Sequence, residues 1–352
     1  MGRRKQVAKL ADVAGMAGVS IATASIILNN PEKNRFSERV RQRVLEAAEK
    51  LQYIPASYAQ QMKGKDIAVI GLIIPDLMNS YFPELTSGFS RLANELGYQV
   101  MLLDTANNFQ REQSFVETLI RMRVAGVGLC GTSGNYEADE QILIKKMMAM
   151  DIPVVQFDRY STSSVCPYVG IDNFRAAYCM TGKMIQAGHH KLALLMCEDT
   201  SFIVKERCRG YVEAMKQYGY KSAVFTYDYK QFGSIYQQFN QIVNSEEHYT
   251  AIFTVSGDID AIECIRAADK MGIRVPADLS IAGFDDISMA EVINPALTTI
   301  YQPKFEIGET AMRLLATMID KQKLEEQNVI LPFEYVVRES TRVVLEGTEH
   351  KE

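Results

Sequence analysis

The sequence predicts a small all-helical head followed by a larger α/β core in which parallel strands alternate with helices. Three observations carry that reading. Three short helix patterns occupy the residues before 55, apolar runs alternate with amphipathic stretches from Asp66 onward, and charge is divided between the two regions. Residues 1–65 hold 12 Lys/Arg against 5 Asp/Glu, a net of +7, so the remaining 287 residues carry −12. A basic head on an acidic body points to a polyanion partner for the head alone.

Within the head (1–54), Leu10, Val13, Ala14 and Ala17 recur at helical spacing and Ala17-Gly18-Val19 makes a turn. Ser20 is placed to cap a second helix through its hydroxyl, and Ser37 a third, whose Val40, Val44, Ala47, Ala48 and Leu51 form one apolar stripe. The second helix lies in VSIATASIILNN (19–30), which holds almost nothing long and polar. Residues 55–65 follow as a linker, with Pro55 able to begin a helix and Gly64 to end it. So short a helix is marginal in water, and its order is conditional on packing or on a partner.

From residue 66 to 345, IAVIGLIIPD, YQVMLLDT, AGVGLCG, IPVVQFD, KLALLMCED, SAVFTYD, YTAIFTVSGD and LSIAGFDD read as buried strands. Stretches such as PELTSGFSRLANELG between them read as helices. The core is too long for one comfortable sheet, so two similar halves are expected, about 66–170 and 171–300, with a break near VGIDNF (169–174). Residues 346–352 form a tail.

Several function classes find no support. GVGLCG (126–131) satisfies G-x-G-x-x-G, but its glycines lie inside a strand rather than at a strand-to-helix turn, where a dinucleotide site needs them. His189 and His190 are adjacent, so their side chains diverge and cannot chelate one ion. No G-x-S-x-G or H-E-x-x-H occurs, and neither an enzyme nor a cofactor is expected. The six cysteines are scattered, several in apolar runs, as reduced core residues would be. MGRRKQVAKLADVAG lacks a secretion signal's apolar region, Gln6 breaks the myristoylation pattern, and no apolar run reaches about 18 residues. A cytoplasmic protein with no membrane partner is expected.

Carboxylates recur where ligands bind open α/β sheets, at the carboxyl ends of strands. Asp104, Asp158 and Asp285 each end a strand, Asp258 follows one, and Arg207 falls on a helix starting near the same edge. Such a set can bind the hydroxyls and ring oxygen of a sugar-like ligand by paired hydrogen bonds. The competing reading is that each Asp caps a helix or accepts loop N–H groups. Tyr81 and Phe82, after the first strand, either stack on a sugar face or pack between domains.

In order and spacing these elements resemble the LacI/GalR family of bacterial transcription regulators, from about Val7 to Leu345. LADVAGMAGVSIATASIILNN looks like that family's helix-turn-helix, and FSERVRQRVLEAAEKLQYIPASYAQQMKG like its third helix and hinge. IPVVQFDR, ERCRGYVEAM, GIRVPADLSIAGFDD and NPALTTIYQP match its core landmarks. The resemblance implies a core like that of periplasmic sugar-binding proteins (type I), with two Rossmann-like subdomains and crossover strands near 297–302 and 329–338. It also implies a homodimer on near-palindromic operator DNA, controlled by a sugar-like small-molecule effector. Ser20, Ile21, Ala22, Thr23, Ser25, Ile26 and Asn29 would then face the major groove, and Tyr58, Ala59 and Met62 the minor groove. Met62 stands where the family has a wedging Leu, as a wedge or as dimer packing. For the effector it carries over Phe82, Asp158, Arg207, Asp285 and Gln302, with Asp104 a weaker transfer. Gly257 stands where the family often has Asn, and Ile26 where it often has Arg.

Overall fold

The computed structural model describes residues 8–29, 36–51, 53, 68–134, 136–160, 163–198 and 201–344. Its first unit, Met1–Ile67, contains α1 (Leu10–Ala17), α2 (Ile21–Asn29) and α3 (Glu38–Lys50); the second spans Ala68–Glu352. Gly18 takes φ 64°, which a residue without Cβ adopts freely, and ends α1. Ser20 Oγ accepts the Thr23 N–H at 3.0 Å, the expected cap. Ser37 does stand at the N-cap of α3, but its side chain makes no cap bond; its carbonyl accepts the Val40 and Arg41 N–H groups instead. Val13, Ala14, Ala17, Ala24, Ile27, Val44, Ala47 and Ala48 close a core small enough to need all three helices.

In the second unit, the first half holds β1 (Val69–Ile74), α4 (Phe82–Glu95), β2 (Gln99–Asp104), α5 (Phe109–Met122), β3 (Gly126–Leu129), α6 (Glu137–Met148), β4 (Val154–Phe157) and β5 (Tyr168–Ile171). A strand from far along the chain, β11 (Asn328–Leu331), completes its six-stranded parallel sheet in the order β11-β5-β4-β3-β1-β2. The second half holds α7 (Asn173–Gln186), β6 (Leu192–Cys197), α8 (Phe202–Gln217), β7 (Ala223–Tyr227), α9 (Ser234–Val243), β8 (Ala251–Thr254), α10 (Asp258–Lys270), β9 (Ser280–Ala282) and the short α11 (Ser288–Val292). Its parallel sheet runs β7-β6-β8-β9. Both sheets carry near-continuous apolar runs because helices cover both of their faces.

The chain passes from one half to the other at Asp172, within 169–174, where β5 is followed directly by α7 and Asp172 caps that helix by accepting the Arg175 N–H at 2.9 Å. One expectation needs correction. Of the two late segments, only β11 completes a sheet. The other, β10 (Thr299–Tyr301), pairs antiparallel with β12 (Glu334–Val336) in a separate ribbon, and parallel bridges Ala282–Thr298 and Asp285–Tyr301 link its segment to the second half.

Between β10 and β11, α12 (Lys304–Ile319) returns to the first half and packs along α4. Two glycines permit the close crossing: an added Cβ at Gly88 would lie 2.0 Å from the Phe305 carbonyl oxygen, and one at Gly308 2.0 Å from that of Leu85. The strand glycines of GVGLCG serve packing as well, since a Cβ at Gly128 would meet the Phe89 ring at 2.7 Å and one at Gly126 the Leu315 side chain at 2.9 Å. His189 is buried at the helix-to-strand turn, 3.0 Å from both Thr250 Oγ1 and the Arg342 carbonyl. Cys130, Cys166 and Cys264 are buried and no cysteine forms a disulfide among the described residues. No single helix among them is long and apolar enough to cross a membrane.

Gly308→Ala therefore tests the α4–α12 crossing. The backbone must separate to admit the methyl group, and the substitution is expected to lower unfolding stability by about 1–3 kcal/mol in urea denaturation. An unchanged midpoint would show that the helices have room to part.

Candidate functional site

Parallel strands deliver their carboxyl ends to one edge, and here the edges of the two sheets face each other across a cleft of about 350 Å³. The first half contributes Asp76 after β1, Asn107 after β2, and Asp158 and Arg159 after β4. The second half contributes Cys197 at the end of β6, Tyr227 at the end of β7, Ser256 to Asp260 after β8, and Asp285 beyond β9. Arg207 reaches the same space from α8.

One buried set of polar groups spans the two halves. Tyr81 donates its hydroxyl proton to Asp158 Oδ1 at 2.6 Å and lies 3.5 Å from Gln302 Oε1. Gln302 Nε2 donates to Asp285 Oδ1 at 2.7 Å, and Arg207 Nη1 stands 3.6 Å from that same oxygen. Arg207 is fixed by its own bonds, Nε to Asn173 Oδ1 at 2.7 Å and Nη1 to the Val255 carbonyl at 2.9 Å, with its guanidinium 3.7 Å from the Phe284 ring centre. Burial, with the Asp158 and Asp285 carboxylates adding to it, pushes the Tyr81 phenol well up, so it stays a donor. Burial also pushes Asp285 up to about 6, only partly opposed by Arg207.

Of the residues expected at an effector site, Tyr81, Phe82, Asp158, Arg207, Asp258 and Asp285 line the cleft. Gln302 is buried and reaches Asp285. Phe82 is 1% exposed, packs edge-on to Tyr81, and carries the Arg159 guanidinium 5.4 Å from its ring centre, so it belongs more to the wall than to a stacking surface. Asp258 is occupied: Oδ2 accepts the Ile287 N–H at 2.9 Å and Oδ1 the Thr299 hydroxyl at 2.6 Å, the loop-accepting alternative raised above. Asp104 is a correction. It ends the edge strand β2 and turns back to accept the Ala106 N–H at 2.8 Å, outside the residues that line the cleft.

Three residues were missed. Arg159, next to Asp158, bonds Asn107 Oδ1 at 3.1 Å, with the Gly131 carbonyl at 3.4 Å. Asp260, two residues beyond Asp258, accepts the Tyr227 hydroxyl at 2.6 Å. Lys304 is 1% exposed; its ammonium donates to the carbonyls of Asp285 at 3.0 Å and Asp286 at 2.9 Å and pairs with Glu84 of α4 at 3.4 Å. Arg159 and Asp260 were legible as neighbours of marked carboxylates. Lys304 had no such signal.

In the head, α2 buries Ala24 and Ile27 and leaves Ile21 and Ala22 exposed, with Thr23, Ser25 and Ile26 half-buried. The Ser20 and Thr23 hydroxyls lie 2.8 Å apart within the cap. Asn29 closes the helix. Tyr58, Ala59 and Met62 lie outside the described residues.

The family of bacterial regulatory proteins, lacI family, matches residues 9–56, and a periplasmic binding protein-like domain matches 181–341. The HTH-type transcriptional repressor CytR of Escherichia coli K12 is 30% identical over 349 residues, covering 97% of this chain and 98% of CytR. The chain belongs to the LacI family. The ribose operon repressor of Halalkalibacterium halodurans is 31% identical over 331 residues, covering 94% and 96% of the two chains. Among solved structures, the lac repressor dimer bound to operator and the anti-inducer ONPF has a TM-score of 0.78 at 25% identity, covering 96% of this chain and all of that one. This LacI-family chain is thus a DNA-binding transcriptional regulator and not an enzyme.

The cleft makes its stability pH-dependent. Burial raises Asp260 from the ordinary 3.8 to about 7, so between those values the folded chain holds a proton that the unfolded chain has lost. Stability therefore falls as pH rises through that window. Asp260→Asn keeps an acceptor for Tyr227 and removes the titration. The loss of unfolding free energy between pH 5 and pH 8 in urea melts is expected to shrink by on the order of 2–3 kcal/mol. An identical pH dependence in the variant would show that Asp260 ionises in its ordinary range.

Proposed function

We propose that this LacI-family regulator acts as a homodimer on a near-palindromic operator, and that a sugar-like effector in the cleft sets its grip. The observation that carries the proposal is the buried polar set Asp158, Tyr81, Gln302, Asp285 and Arg207, which draws on both halves of the core. Groups that a ligand would bond are also groups that set how the halves meet. A polyhydroxy effector offers donors and acceptors to both sides and so binds one degree of closure better than another. The cleft lining favours a neutral ligand over an anionic one, since among the described residues that line it Asp76, Asp158, Asp258, Asp260 and Asp285 stand against Arg159 and Arg207.

Closure reaches DNA through residues 55–65, which join the core to the head. In this proposal the paired hinges fold in the minor groove when operator is present, with Met62 as the wedge, and the basic head supplies the salt-dependent attraction to phosphate. Ile21, Ala22, Thr23 and Ser25 would meet thymine methyls, phosphates and short-range base edges. The pairing of two identical heads accounts for the palindrome.

Two substitutions separate the parts of this mechanism. Met62→Gly is expected to weaken binding to a selected operator by about 1–3 kcal/mol, through the lost wedge and lost helix propensity; equal affinity in a gel shift would remove the hinge from the mechanism. Arg207→Ala, with Asp285→Asn as the milder companion, is expected to abolish the response to a sugar that alters operator binding of the wild type, while operator binding without sugar persists. A normal response from both variants would move the effector elsewhere.

A further inference from the structure

Beside the cleft lies a second hollow of about 710 Å³ between α9 and α10. The two share a wall, because Tyr227, Tyr229, Ile259 and Asp260 line both. From Ile259 in the first turn of α10 the hollow follows that helix to Lys270, about 16 Å at 1.5 Å per residue. That length exceeds one sugar ring.

Its other bank is aromatic. Phe232, on the loop between β7 and α9, is fully exposed, and Tyr229 and Tyr236 beside it are exposed as well. Three neighbouring aromatic side chains open to water at the mouth of a ligand cleft mark a surface that gains by being covered. Flat rings flanked by amide and carboxylate side chains, here Gln237 and Glu263, suit a ligand with an apolar face and a polar rim.

We propose that this annex holds the second ring of a two-ring glycoside whose polyol ring occupies the cleft. The shared chemistry is a flat-faced ring joined glycosidically to a sugar, as in a disaccharide, an aryl glycoside or a nucleoside. The proposal rests on the sugar-like reading of the cleft, and it places Tyr229, Phe232 and Tyr236 as the stacking platform of the second ring. Phe232 and Tyr236 are open to solvent, so truncating them leaves the buried core intact.

Isothermal titration of the full chain tests it with matched probes. One set is D-glucose, cellobiose and p-nitrophenyl β-D-glucopyranoside; the other is D-ribose, adenosine and cytidine. At least one two-ring probe is expected to bind tenfold or more tightly than the free sugar it contains, and the identity of that probe tells a second sugar from an aryl group or a base. The double substitution Phe232→Ala, Tyr236→Ala is expected to bring that pair within about threefold. A free sugar that binds as tightly as both of its two-ring counterparts overturns the annex, as does a tenfold advantage that survives the double substitution. Silence from all six probes counts against the sugar-like cleft itself, and the annex falls with it.

Discussion

The buried meeting of Asp285 with Arg207 and Gln302 is the constraint on which the core's geometry depends. Asp285 is 7% exposed and Arg207 3%. A charge taken that far out of water costs several kcal/mol unless it finds partners of good geometry. The fold supplies them from distant parts of the chain: Arg207 from α8, Gln302 from beyond β10, and through Tyr81 the strand-end Asp158 of the other half. The backbone is bent to make this possible. Asp158 takes φ 58°, Asp285 φ 119° and Asp286 φ 50°, conformations that cost on the order of 1–3 kcal/mol each outside glycine. Lys304 holds the strained pair in place by bonding the carbonyls of both Asp285 and Asp286.

The same constraint accounts for the glycine at 257, where the family resemblance suggests Asn. At Gly257 φ is 150°, and a Cβ there would lie 2.9 Å from Asp285 Oδ2. Any larger residue would have to displace the carboxylate on which the set converges. An Asn at this position would add one polar contact to the cleft and disturb several already made. Glycine at 257 thus leaves room for Asp285 where it bonds Gln302 and faces Arg207.

How much was readable from sequence depends on whether a residue's role is set locally or by the topology. Apolar runs of five or six residues separated by amphipathic stretches identified strands and helices because both faces of each sheet are buried. Gly18 and Ser20 were readable because turn and cap act within a few residues. Ser37 shows the limit: the residue type suits a cap, yet its hydroxyl does not make the bond. Asp104 shows another, since a strand-end carboxylate faces a cleft only when its neighbours hold it there, and an edge strand leaves it free to bond its own loop. Lys304 was invisible because a lysine at a helix start reads as a solvated charge. Only the return of α12 to the first half puts its ammonium beneath the Asp285–Asp286 carbonyls.

In the proposed function α2 reads the major groove, and it poses the opposite problem: most of it is local, yet from Ile21 to Leu28 it lacks the usual means of base recognition. Among its outward residues, Ile21 and Ala22 carry no hydrogen-bonding side-chain group, and the Ser20 and Thr23 hydroxyls already bond within the helix cap. Bidentate recognition of guanine or adenine needs a long, forked donor or amide, and Ile21 to Leu28 of α2 include none. On that proposal these residues offer methyl-to-methyl contact with thymine and the hydroxyls' second bonding positions. Both are weak per contact, so the proposal places more of the discrimination in the deformability of the DNA and less in α2. The basic head then supplies attraction to phosphate that carries no sequence information of its own, which leaves more of the outcome to the core.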